Sequence, residues 1–215
     1  RREGFEASLR WDDKIGSDFY YEVGTNMTYY NNLYVKNQGE ALSDLKNPYK
    51  RSTHQTDYYG IMYMDNGLYQ TPEQVLGVPR RLQSSATKLG DIAYEDINGD
   101  GKIDGEDQVR WGMPSAPHFT YGFDFVLGYK GFTLSGLLYG TGKRNMEFGV
   151  TTKKNEAIWV LNDYQLDYWR EDNRDATFPR ISLEALPNGS NNQAASTFWV
   201  KNASFLRLKN LTLEY

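Results

Sequence analysis

The chain of 215 residues contains no cysteine. A disulfide framework, a thiolate metal site and a cysteine nucleophile are therefore all excluded. No apolar run approaches the roughly 18–20 residues that a membrane-crossing helix needs. Blocks of lysine or arginine are also missing, and the formal net charge is −4, so the electrostatic footprint of a nucleic-acid partner is absent. Histidine is scarce: His54 and His118 lack zinc-ligand spacing, and no serine nucleophile motif stands beside them. These absences point to a protein that is not an enzyme. A carboxylate pair for glycoside hydrolysis is set by fold and not by spacing, so a secreted glycosidase fragment stays open as a rival. What the chain has in excess is tyrosine, 17 in all, which suits membrane interfaces and sugar-binding surfaces alike.

The informative pattern is alternation. Between His118 and Gly140, Phe119, Tyr121, Phe123, Phe125, Leu127 and Tyr129 fall on one face, opposite Thr120, Gly122, Asp124, Val126 and Gly128. A period of two is a strand. After a Lys130–Gly131 turn, Phe132, Leu134 and Leu138 resume the apolar face, with Thr133, Ser135 and Tyr139 on the other. Earlier, Phe5, Ala7, Leu9 and Trp11 alternate with Glu6, Ser8 and Arg10. Past a polar turn at residues 12–17, Phe19, Tyr21, Val23, Met27 and Tyr29 alternate with Tyr20, Glu22, Gly24, Asn26 and Thr28. Strands of about ten residues with aromatic ends match the apolar band, about 25 Å tall, of an outer-membrane barrel. A negative mean hydropathy does not exclude this, because lumen-facing residues and long loops dilute every strand. Glu6, Ser8, Arg10, Glu22, Asn26, Thr120, Asp124, Thr133 and Ser135 are then expected on the lumen wall.

The last segment, residues 204–215, breaks the rule: Phe205, Leu211, Leu213 and Tyr215 share a parity with Arg207 and Lys209. A lysine or arginine facing mid-bilayer lipid costs about 2–4 kcal/mol. This strand must begin above the membrane or contain a bulge that swaps its faces.

Organisation follows as strand hairpins at residues 1–30 and 118–141, long connections at 31–117 and 142–203, and a strand at 204–215. Compact soluble domains rarely carry structureless loops beyond about 15 residues, whereas outer-membrane barrels pair tight periplasmic turns with large extracellular loops. Within the loops, Thr71-Pro72-Glu73-Gln74 reads as the start of a short helix. Ile158, Leu161, Tyr164, Leu166 and Trp169 suggest an amphipathic helix over 155–169, and 188–195 is polar and mobile-looking. Tyr58, Tyr59, Tyr63, Tyr69, Trp159 and Trp169 are candidates for stacking on sugars or for packing the loops themselves. The chain starts and stops inside apparent strands, so it reads as a piece of a longer polypeptide.

Residues 96–107 carry the sharpest local chemistry. Asp96, Asn98, Asp100, the carbonyl of Lys102, Asp104 through a water, and Asp107 follow the ligand spacing of an EF-hand calcium loop, with Gly101 at the sharp turn. Aspartate replaces the usual closing glutamate, and no flanking helix pair is evident. The expectation is a structural calcium clip of modest affinity, about 10⁻⁴–10⁻³ M. The bland alternative is an acidic turn held by Asx hydrogen bonds.

These strings together resemble a known family. Gly90-Asp91-Ile92-x-Tyr94-x-Asp96-x-Asn98-Gly99-Asp100-Gly101-x-Ile103-Asp104 is followed by a Gly/Pro segment at 112–117, then Phe119-Thr120-Tyr121-Gly122-Phe123 and Tyr129-Lys130-Gly131-Phe132. With Asp65-Asn66-Gly67-Leu68-Tyr69, Phe178-Pro179-Arg180 and Phe205-Leu206-Arg207-Leu208, the series is similar to SusC/RagA-like TonB-dependent transporters of Bacteroidetes outer membranes. The resemblance implies an all-β fold: a C-terminal-half fragment of a 22-stranded transmembrane antiparallel barrel. It implies active import of glycan oligosaccharides or peptides, outer-membrane lipid around the wall, a SusD-like lipoprotein lid, and TonB acting through an N-terminal plug region that this sequence does not contain. The rival from another class is a soluble secreted carbohydrate-binding module with a calcium-clipped loop.

Overall fold

The structure is a computed structural model, describing residues 1–35, 38–52, 55–77, 80–81, 87–148, 163–181 and 191–215. Five long strands form one antiparallel sheet: β1 (Arg2–Ile15), β2 (Phe19–Tyr34), β3 (Phe119–Tyr129), β4 (Phe132–Gly142) and β5 (Phe205–Glu214), each beside the next in chain order. Tight turns join β1 to β2 and β3 to β4 at one end. The first lies at residues 16–18, because the alternation continues through Asp12 and Asp13 and breaks only at Gly16, whose φ is +67°. The second is a two-residue turn, Lys130 (φ 49°) and Gly131 (φ 88°), the left-handed pair that matches strand twist in a tight hairpin. Both long connections leave from the other end.

Register turns the alternation into rows. Phe5, Tyr29, Phe119 and Gly142 pair across the sheet, as do Leu9, Thr25, Phe123 and Leu138, then Trp11, Val23, Phe125 and Gly136, and finally Ile15, Phe19, Tyr129 and Phe132. Aromatic rings lie over the glycines in these rows: a Cβ on Gly136 would stand 2.5 Å from the Phe125 ring. From Phe5 to Ile15, ten steps of about 3.3 Å tilted by about 35–45° rise about 23–27 Å. That is the height of a bilayer's apolar band.

β5 keeps to the pattern through a bulge. Leu138 pairs with Leu208 but Leu137 pairs with Asn210, leaving Lys209 as the extra residue. The faces swap there, so Leu206, Leu208, Leu211 and Leu213 all join the apolar rows, while Arg207, Asn210 and Thr212 join the polar ones. This is the second of the two remedies that the charge cost demanded.

The packed core lies elsewhere. Among the described residues, every buried large apolar side chain (Met62, Tyr69, Ile92, Tyr94, Ile103, Val109, Trp169, Trp199, Val200) belongs to the two long connections, and none to β1–β5. The connections leave the sheet as continuing ladders: Gln55–Thr56 pairs with Leu33 and Tyr34, and Asn145–Glu147 pairs with Val200–Asn202. Above these stems, Gly60–Tyr63 pairs with Gln108–Trp111, and Asp65–Leu68 with Ile92–Tyr94. No described helix is long and apolar enough to cross a membrane, which says nothing of a barrel that crosses with strands.

Candidate functional site: a two-faced wall and its cap

The apolar face is uncovered. Phe123 is 42% exposed, with Leu9, Trp11, Leu206, Leu208, Leu211 and Leu213 more so, while Phe119 and Leu127 are only half-buried. Among the described residues no second layer seals these rings, as a sandwich would. Thr25, within this face, turns its hydroxyl back to the Gly122 carbonyl at 3.1 Å. Trp11 donates its indole N–H to the Tyr21 hydroxyl at 3.2 Å near the turn end. Charged side chains on this face of β1 are Glu3, outside the Phe5–Ile15 span, and Asp13, inside it near the turn.

The reverse face carries every residue expected on the lumen wall: Glu6 aligns through Thr28 with Thr120, Ser8 with Asn26, and Glu22 through Val126 with Ser135. At mid-height Arg10, Gly24 and Asp124 form one row. Arg10 reaches across β2, donating Nη1 to Glu22 and Nη2 to Asp124 at 3.0 Å. Gly24 makes the crossing possible, since a Cβ there would stand 2.6 Å from Asp124 Oδ1. Nearer the turns, the Tyr20 hydroxyl meets Thr133 Oγ1 at 3.1 Å. Arg10 is well exposed, so this network sets the arrangement of charge more than it sets stability.

The two long connections fold together into a cap. Its centre is Ile92, Tyr94, Ile103 and Trp199, with Tyr63, Leu68, Phe178, Ala194 and Phe198 around them. Asp91, 2% exposed, receives Arg180 Nε at 2.7 Å, Asn192 Nδ2 at 2.9 Å and the Lys88 amide at 2.9 Å. Asn192 Oδ1 accepts the Ile92 amide at 2.8 Å, Asn191 Nδ2 donates to the Ile92 carbonyl at 2.6 Å, and the Tyr94 hydroxyl donates to the Asn191 carbonyl at 2.6 Å. Gly90 has φ +77° and lies against the Trp169 ring with no room for a side chain, and Trp169 Nε1 donates to Gln70 Oε1 at 2.9 Å. At the rim, the buried His118 sets Nε2 2.9 Å from Asp57 Oδ1, fastening the first connection to the head of β3.

Several expectations change here. Residues 191–195 are not loose: Asn191–Gln193 is a 3₁₀ turn, and Asn191 is buried at the cap centre. The helix expected over 155–169 lies outside the described residues up to 162. Its described end is a 3₁₀ turn, Asp163–Leu166, followed by extended backbone in which Tyr168 bridges Phe178. Trp159 and His54 also lie outside the described residues. Trp169 and Tyr69 are buried and pack the cap. The short helix at Pro72–Leu76 forms with a capping box between Thr71 and Gln74. Sequence reasoning missed the Asp91–Arg180–Asn192 cluster, although Gly90-Asp91 and Phe178-Pro179-Arg180 both stood among the strings that carried the family resemblance.

Residues 96–107 form a tight acidic loop. Asp96 accepts amides of Gly99 at 2.7 Å and Gly101 at 2.8 Å, Asn98 that of Asp100 at 2.9 Å, and Asp100 that of Lys102 at 2.9 Å. Asp104 accepts the amide of Glu106 at 2.8 Å. Asp107, wholly buried, closes the loop on the amides of Ile97 at 3.0 Å and Asp104 at 2.7 Å. Among the described residues no three Asp, Glu or His side chains converge as a metal-holding group. The candidate ligands therefore share one loop, with their oxygens turned to its own amides.

No family model matches the chain. In sequence it is similar to TonB-dependent receptor P26 of Formosa agariphila, 28% identical over 130 residues, covering 59% of this chain and 12% of that protein. In structure it is similar to the RagAB peptide transporter (TM-score 0.60) and to the RagAB peptide importer in its open-open state (TM-score 0.63). Both are 19% identical, with 99% of this chain covered and 22% of the other. The chain has the fold of a segment of these RagAB structures. Its fold is that of antiparallel barrel wall, and the described strands do not close: β1 and β5 end the sheet. The matched residues cover 12% of the curated relative and 22% of the solved structures, so the chain spans only a part of the proteins it resembles.

Proposed function

We propose that this barrel segment forms part of the wall and mouth of an outer-membrane transporter that imports glycan oligosaccharides or peptides by TonB-dependent uptake, beneath a SusD-like lipoprotein lid. One observation carries the reading: the large apolar side chains of the wall face outward, and those of the cap face inward. A band of that height and composition is stable against hydrocarbon, while the Arg10, Glu22 and Asp124 face needs water. Similarity to a TonB-dependent receptor and to the RagAB peptide transporter supports receptor and transporter roles, with peptide as the favoured cargo class. In this reading the chain makes or breaks no covalent bond: the wall lines the passage and the cap frames its entrance. A soluble carbohydrate-binding module would need Phe123 covered by a second layer.

The experiment uses the full-length transporter in membranes, with a single cysteine carrying an environment-sensitive fluorophore at Phe123 or at Asp124. Quenching of the first by lipid-borne nitroxide and of the second by aqueous iodide is the expected pattern. Equal iodide quenching at both positions would overturn the membrane reading.

Calcium belongs to the same proposal. Asp96, Asn98, Asp100, the Lys102 carbonyl, Asp104 and Asp107 supply an all-oxygen donor set suited to a hard cation, which would brace residues 96–107 as a clip. Chelation is expected to speed proteolysis of the wild-type cap but to change nothing in Asp100→Ala. A wild-type cap cut equally fast with and without chelator removes calcium from the account.

A further inference from the structure

We propose that the outer border of the wall holds a phosphate-bearing lipid headgroup at Lys143 and Arg144; this rests on the membrane reading above. The reason is an asymmetry between the wall's two borders. Lys130 and Lys143 are the non-glycine residues with left-handed backbone among the described residues, at φ 49° and 51°. Each ends β3 or β4, one at the turn border and one at the cap border, and each sets its ammonium over a tyrosine of the aromatic belt. Lys130 Nζ is 5.2 Å from the Tyr129 ring, and Lys143 Nζ is 4.6 Å from the Tyr29 ring. Left-handed backbone is unfavourable for a side chain with a Cβ, so each conformation is held by its surroundings.

The two lysines differ in their counter-ions. Lys130 has Asp18 at 3.9 Å. Lys143 has no carboxylate within 4.0 Å among the described residues, and Glu3, the acid of the neighbouring outer row, is paired with Arg1 at 2.9 Å. Among the described residues Arg144 also has no carboxylate within 4.0 Å: its Nε is buried without a hydrogen-bond partner, and its Nη2 reaches the Met146 sulfur at 3.9 Å.

Position makes Lys143 a border residue. It follows Gly142, the β4 member of the outermost apolar row, and Phe119 pairs with both Gly142 and Tyr29. To stand over Tyr29, the lysine chain must cross the head of β3 on the apolar side. Its methylenes then lie on the belt while its charge sits at headgroup height. A cation there, over an aromatic ring and without a protein anion, fits the phosphate of a lipid headgroup, and each such charge adds measurably to anionic-lipid affinity.

The full-length transporter is extracted in mild detergent, washed, and its retained phosphate-bearing lipid weighed by native mass spectrometry. Lys143→Gln/Arg144→Gln is expected to lower retention about fivefold per charge removed. Lys130→Gln, whose lysine already has Asp18, is expected to retain what wild type retains. Equal retention in wild type and the double variant would overturn the site. Release of the lipid by millimolar inorganic phosphate, with inorganic phosphate bound in its place, would make it a free-phosphate site and overturn the lipid assignment. A wild-type protein that carries no lipid after the wash would likewise overturn the site, while the membrane reading is tested separately by the quenching pattern at Phe123 and Asp124.

Discussion

The wall and the cap are built from the same residue types by opposite rules. In the wall, Leu9, Trp11, Phe123 and Leu208 are exposed and nothing among the described residues covers them, while the arginine–carboxylate network is turned to the other side. In the cap, Ile92, Tyr94 and Trp199 are sealed, and the buried carboxylate of Asp91 is engaged by Arg180, Asn192 and an amide. On the membrane reading proposed above, one polypeptide passes twice between two solvents. The change of rule falls at the rim, where strands run on as ladders and His118 meets Asp57. The lesson is that burial is a statement about the medium: the apolar stripe is constant, and what it touches differs.

The comparison is most strongly tested in the cap. Ile92→Ala removes a side chain that is 0% exposed at the centre of the cluster, and such a cavity costs about 2–5 kcal/mol. Amide exchange in the intact transporter is expected to rise across Asp65–Leu68, Ile92–Tyr94 and 191–202 while β1–β5 stay protected. Loss of protection in the wall would mean that the two regions fold as one unit. Phe123→Arg is the corresponding insult to the wall, about 2–4 kcal/mol at mid-bilayer. It is expected to lower the amount of assembled, heat-modifiable barrel in the membrane, while Phe123→Leu assembles normally. In a water-facing sheet Phe123→Arg would be near neutral, so normal assembly of that variant would erase the distinction between the regions.

The wall was legible because its information is local. A period of two needs only neighbouring residues, and it gave the faces, the Lys130–Gly131 turn and the strand at 204–215. The Arg207 and Lys209 conflict was also informative: the cost of charge in lipid called for a strand that starts higher or for a bulge, and the fold has the bulge, with Lys209 as its extra residue. The capping box at Thr71 was legible for the same local reason. The cap was not, because its order is made by residues far apart in sequence, such as Asp91 with Arg180 and Ile92 with Asn191 and Asn192. A run such as Asn188-Gly189-Ser190-Asn191-Asn192 has no period, and read alone it is polar chain. Only when Ile92 lies opposite do the two asparagines become its backbone's partners. The acidic loop sits between these cases: its spacing is local and legible, but in the fold its oxygens accept the loop's own amides.

The smallest expected effect concerns acid and separates the cap from the wall by a different means. Asp167 accepts from Asn173 Nδ2 at 3.0 Å and from the Thr177 amide at 3.0 Å. These hydrogen bonds, Asn173 first, then Thr177, hold its carboxyl below the ordinary range, against weak desolvation. A lowered carboxylate pKa stabilises the turn at every pH above the unfolded value, and that contribution is lost as pH falls through the folded one. The turn spanning Asp167 to Thr177, with its bridge to Phe178, should therefore hold through mild acid and open only below the usual carboxylate range. Pepsin, which works in acid, reports this directly: cleavage in residues 163–181 should set in at lower pH in wild type than the first exposure of an ordinary acidic turn. In Asp167→Asn the dependence should vanish, because no proton can be taken up there. Coincident onset in wild type and variant would show that the turn is held by Trp169 and Phe178 packing alone. The inner wall strands β2, β3 and β4, which have a neighbour on both sides, should show no cleavage across the same range.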